Sequence, residues 1–112
     1  MQNNANINEV TRIAAGAFFK GELSTDTDIR LDGRFEGKLE TKGRLVVGVE
    51  GVVDGDIIGN DVDFGGKMNS GTFLVKETLS LKSGCQVNGD LRFKRLQIEL
   101  DAKFTGRCEA IE

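Results

Sequence analysis

The chain has 112 residues, 38% hydrophobic and 29% charged, with a formal net charge of −3, a balance that fits one ordinary globular domain. Lys and Arg are scattered among Asp and Glu instead of forming a basic stripe, so no nucleic-acid partner is expected. There are 15 Gly but no His, Trp, Tyr or Pro, so the core must be thin, built from Leu, Ile, Val and a few Phe.

In chain order, residues 1–13 show neither a basic-then-apolar leader nor an apolar run near the ~18 residues of a membrane span. They are read as a flexible N-terminal tail ahead of a single β-helix domain at 14–112, and a cytoplasmic location follows. The first structured motif is Phe19-Lys20-Gly21-Glu22-Leu23. Its pattern, apolar-x-Gly-x-apolar, returns as Phe35-Glu36-Gly37-Lys38-Leu39 and as Val53-Asp54-Gly55-Asp56-Ile57. A degenerate copy, Met68-Asn69-Ser70-Gly71-Thr72, has Ser at its centre and Thr at its end. Val87-Asn88-Gly89-Asp90-Leu91 and Phe104-Thr105-Gly106-Arg107-Cys108 complete the series. Two residues before each leading apolar position stands a small residue: Ala17, Gly33, Gly51, Gly66, Cys85 and Ala102.

Between these copies lies a second motif, apolar-x-apolar: Ile29/Leu31, Leu45/Val47, Val62/Phe64, Leu79/Leu81 and Leu96/Ile98, stepping by 16, 17, 17 and 17 residues. The glycine motif steps by 16, 18, 15, 19 and 17, which requires small insertions between motifs. The stretch from Thr72 to Leu79 is the longest internal gap, and a bulge or longer loop is expected there. A local period of two marks short strands with one buried face. Like residues recurring in register mark a solenoid, in which each coil stacks on its equivalent about 4.8 Å away. The outward columns mix charge signs, with one like-charge contact, Glu36 over Asp54. Inward spacings of 4, 5, 6 and 7 break the six-residue rule of left-handed helices. The expected fold is therefore an all-β, right-handed triangular β-helix of about six coils of roughly 17 residues.

A coil at either end of such a stack leaves backbone N–H and C=O groups and an apolar layer uncovered. The last copy holds Phe104 and Cys108, with Ile111 following, and the first opens on Ala14-Ala15-Gly16-Ala17-Phe18-Phe19. Phe104, Cys108 and Ile111 at one end, and Phe18, Phe19 and Leu23 at the other, are the expected polymerisation interfaces.

The chain resembles the bactofilins, bacterial polymer-forming cytoskeletal proteins. The resemblance rests on Ile29-Arg-Leu-Asp-Gly-Arg-Phe-Glu-Gly-Lys-Leu39, Gly43-Arg-Leu-Val-Val-Gly48, Val87-Asn-Gly-Asp-Leu91 and Phe104-Thr-Gly-Arg-Cys108. It implies a right-handed triangular β-helix and nucleotide-independent assembly, head to head and tail to tail, into non-polar filaments. It also implies scaffolding at the inner face of the cytoplasmic membrane, organisation of cell shape, recruitment of envelope or cell-wall-modifying proteins, and Phe104 as the leading interface residue. Members that bind membrane are said to carry lysines and an apolar residue near the start. Met1–Val10 has no Lys, which argues against stable anchoring, since that usually takes two signals.

Enzymatic readings find little support. Left-handed β-helical acyltransferases use a catalytic His, and there is none. The pairs Asp54/Asp56 and Asp61/Asp63 fall at i, i+2 on an outward face, where water solvates them and nothing tunes an acid/base couple. No metal or other cofactor is expected. Cys85 and Cys108 form no metal-binding spacing, Gly65-Gly66-Lys67 begins a calcium-loop pattern without continuing it, and no nucleotide-binding glycine loop occurs. The second functional reading is a monomeric β-solenoid adaptor that binds another protein through a flat face. It requires covered ends and an exposed apolar patch, whereas outward positions are mostly charged, Val46 and Val52 excepted.

Overall fold

A computed structural model describes residues 10–111. Among them are nine strands and no helix: β1 (Val10–Ile13), β2 (Phe18–Thr25), β3 (Asp28–Leu31), β4 (Arg34–Thr41), β5 (Arg44–Val47), β6 (Val52–Phe64), β7 (Lys67–Leu81), β8 (Gln86–Ile98) and β9 (Lys103–Ala110). Every pairing is parallel, and each strand contacts its equivalent one coil away. The chain is thus a β-solenoid of about six turns, ~17 residues apart.

Each coil runs through three straight segments. One column of strand segments starts at Val10 and passes through Asp28, Arg44, Asp61, Thr78 and Arg95. The other starts at Phe18 and runs through β4 and the first parts of β6, β7 and β8 to β9. That second column is folded in two at its glycines. In a flat strand, residues i, i+2 and i+4 share a face; here Phe35 and Leu39 are both buried while Gly37 between them is exposed. The chain therefore turns a corner at the glycine. Gly37 and Gly55 hold φ of 125° and 136°, a region that glycine alone enters freely. A Cβ at Gly55 would overlap the carbonyl oxygen of Gly37 one coil earlier, so conformation and stacking both demand glycine.

Inside, like residues stack. Phe19, Phe35, Val53, Met68, Val87 and Phe104 form one column; Leu23, Leu39, Ile57, Phe73, Leu91 and Cys108 form another. The rings of Phe19 and Phe35 lie 5.2 Å apart and only 3° from parallel. Phe64 and Phe73 meet edge to face at 5.3 Å, a favoured aromatic geometry. Outside, Glu36 does lie beside Asp54, but Arg34 reaches both, at 3.1 Å and 3.6 Å. The like-charge contact is thereby neutralised.

Two sequence assignments change. The fourth coil turns at Gly71, which pairs with Gly55, so Ser70 is not its centre. A bulge between Met68 and Ser70 absorbs Asn69, and the inward residue is Phe73, not Thr72. The second irregularity, between Val75 and Thr78, falls inside the Thr72–Leu79 stretch expected to bulge. In addition Val10–Ile13, assigned from sequence to a tail, forms a strand on β3; residues 1–9 lie outside the described ones.

Candidate assembly surfaces

Among the described residues, the two ends of the stack are ladder edges. β1 and β2 pair on one side only, with β3 and β4. At the opposite end β9 pairs only with β8, and the Arg95–Ile98 segment of β8 only with β7. Parallel strands with free edges offer main-chain donors and acceptors to a further strand.

Each edge has an apolar rim beneath it. At the first coil, Phe19 and Leu23 are half-buried against the core and Ile13 is buried. Phe18 points the other way: it is 58% exposed on the side wall, with the Arg34 guanidinium 5.5 Å from its ring centroid. The expected interface set at this end is therefore split, two residues on the rim and one beside it. At the last coil, Phe104 is half-buried, Cys108 is exposed at the end of its column, and Ile111 is half-buried with its N–H donated to the carbonyl of Phe93 at 2.6 Å. Partial desolvation by its neighbours raises the Cys108 thiol above its ordinary range.

Sequence reasoning missed part of this rim. Leu96 and Ala102 pack partly exposed against the core, and Ile98 is 52% exposed. The signal was present: among the described residues Leu96/Ile98 is the last copy of its motif.

Several outward polar groups are tied into the wall. Asp54 takes Arg34 and Asn69, Asp56 accepts from the Thr72 hydroxyl at 2.8 Å, and Asp63 accepts from Arg44 at 2.8 Å. Glu99 accepts from the Ser83 backbone N–H, which with nearby Lys82 holds its carboxyl below the usual range. Among the described residues no three His, Cys, Asp or Glu side chains gather as a metal set, and no helix is long and apolar enough to cross a membrane.

Among the described residues the chain is a parallel β-solenoid whose end strands carry free edges and an apolar rim. The bactofilin family, described as polymer-forming cytoskeletal, matches residues 11–109. Bactofilin BacO of Myxococcus xanthus (strain DK1622) is 32% identical over 99 residues, covering 88% of this chain and 78% of that protein. The chain belongs to the bactofilin family. No solved structure matches it significantly.

Proposed function

We propose that the protein self-assembles end to end, without nucleotide, into non-polar filaments that organise cell shape or cell-envelope machinery in the cytoplasm. The inner face of the cytoplasmic membrane is the surface such a scaffold serves, and envelope or cell-wall-modifying proteins are its recruits. As a member of a structural cytoskeletal family, the chain acts as a scaffold and not as an enzyme. The carrying observation is that, among the described residues, both ends combine a free ladder edge with an apolar rim: Phe19 and Leu23 at one, Phe104, Ile98 and Cys108 at the other.

Magnitudes set how well the ends must fit. Fully burying one Phe is worth about 1.5–3 kcal/mol, while association costs roughly 4–15 kcal/mol. Several rim residues and ladder hydrogen bonds together exceed that cost only when the two rims interdigitate. A nucleotide has no part in this balance.

The test is sedimentation of the purified chain with no nucleotide, beside the Phe104→Arg variant. The wild type is expected to run as large species that persist in salt. The variant, which places a charge on a half-buried rim position, is expected to remain folded but to run near the 12.2 kDa of a single chain. A wild type that stays monomeric overturns the reading; a variant that assembles unchanged removes Phe104 from the interface.

A further inference from the structure

Among the described residues β2 leaves one edge unpaired, with Phe19, Leu23 and Thr25 half-buried beneath it and Lys20, Glu22 and Ser24 exposed outside. The register of the first two coils says what would stand above that edge. Val10 pairs with Asp28 and Ile13 with Leu31, a step of 18 residues. Carried back along the chain, the same step sets Met1 over Phe19, Asn3 over the Gly21 corner, Ala5 over Leu23 and Ile7 over Thr25. Spacing agrees: Met1 stands nine residues before Val10, as Phe19 stands nine before Asp28 and Phe35 nine before Arg44. The inward places are thus all apolar. The outward places take Gln2, Asn4, Asn6 and Asn8, uncharged amides over Lys20, Glu22, Ser24 and Asp26, so no like charges meet. Met1-Gln2-Asn3-Asn4-Ala5 is the apolar-x-Gly-x-apolar motif with Asn at its centre.

That Asn has a physical reason. At each later corner an added Cβ would strike the carbonyl of the corner glycine one coil earlier, as at Gly37 against Gly21. The corner Cβ therefore points toward the start of the stack. At Gly21 it would meet nothing closer than the Phe19 ring, 3.9 Å away. The outermost corner of such a stack needs only positive φ, which Asn enters more readily than most residues that carry a side chain.

We infer that residues 1–9 lay a further parallel strand on the β2 edge of their own chain, where it competes with a second copy of the protein for the first-end rim. The competition, though not the strand, rests on the assembly reading above. Joined to β1 at Val10, the segment meets the edge without losing translational freedom, at an effective concentration on the order of millimolar. A second copy covers the β1 edge as well as the β2 edge, so it displaces the strand as protein concentration rises. The strand thereby sets the concentration at which assembly starts.

Disulfide trapping in the full chain at low concentration tests the strand. A Phe104→Arg, Cys108→Ser background removes the last-end contact and the exposed thiol. In-register residues of adjacent parallel strands lie about 4.8 Å apart, within disulfide reach. Ala5→Cys with Leu23→Cys is expected to oxidise to a disulfide within one chain. Asn6→Cys with Leu23→Cys, on opposite sides of the wall, is expected to stay reduced. Equal linking of both pairs, linking of neither, or linkage between chains overturns the strand. Sedimentation of chains with the native last end tests the competition. A strand formed in about nine chains in ten leaves one in ten open, so deleting residues 2–9 is expected to lower the onset of assembly about tenfold. Ile7→Asp, at an inward place, is expected to do the same, and Asn6→Asp, at an outward place, to leave the onset unchanged. An onset that moves with neither the deletion nor Ile7→Asp overturns the competition. If no variant assembles at any concentration, the assembly reading falls with the competition, and the trapped disulfide still decides the strand.

Discussion

At the scale of single residues, the glycine corners show two costs that ordinarily come separately. Gly84 and Gly55 both hold positive φ, at 85° and 136°. A Cβ at Gly84 would meet nothing within 4 Å, whereas one at Gly55 would strike the Gly37 carbonyl. In the Phe104→Arg background, where unfolding is uncomplicated by assembly, Gly84→Ala is expected to cost about 1–2 kcal/mol, the left-handed penalty alone. Gly55→Ala is expected to cost about 3 kcal/mol or more, because coils three and two must also separate. Urea unfolding curves measure both. The two thiols make a second residue-scale contrast: Cys85 is buried inside the fifth coil and Cys108 is exposed on the last. Iodoacetamide is expected to label Cys108 in the Phe104→Arg variant, slowly at neutral pH because its thiol is raised above its ordinary range, and to spare Cys85 until unfolding. Wild-type assemblies are expected to shield Cys108; equal labelling in both forms contradicts its place at the interface.

At the scale of elements, the strand columns were legible in the sequence because stacking forces equivalent residues into equivalent chemistry. Five glycine-centred copies, a sixth degenerate one and five apolar-x-apolar pairs at near-constant spacing leave little else to fit. The fourth coil was misread for a physical reason. A bulge inserts a residue without disturbing the alternation on either side, so Ser70 stood where a glycine was expected and Thr72 where an apolar residue was. Only the pairing of Gly71 with Gly55 shows that Asn69 is the extra residue. A mutational pair tests the corrected register. Phe73→Ala is expected to destabilise by about 3–5 kcal/mol, as a fully buried ring, and Thr72→Ala by at most about 0.5 kcal/mol beyond its surface bond to Asp56. Strand β1 was missed because Val10–Ile13 precedes the first glycine motif, and a four-residue segment shows too little periodicity to stand out. Part of each apolar rim was legible. The glycine motifs pointed to Phe19, Leu23, Phe104 and Cys108, but whether neighbouring Phe18 faces the rim or the wall depends on the side-chain alternation of β2, and the structure sends it to the wall.

At the scale of the whole molecule, a solenoid grows by repeating one contact, and its length is limited only by what covers its last coil. Nothing among the described residues covers β9, and its rim carries the same columns that hold the coils together. In the proposed assembly a second chain covers that rim. Six coils at about 4.8 Å give each chain about 29 Å of rod, and two chains, the repeat of a non-polar filament, about 58 Å. The most direct measurement is the diffraction pattern of wild-type filaments imaged by electron microscopy without nucleotide. A meridional spacing near 4.8 Å together with an axial repeat near 58 Å is the predicted result. A solution of single chains at high concentration, or filaments whose strands do not run across the long axis, would contradict the account.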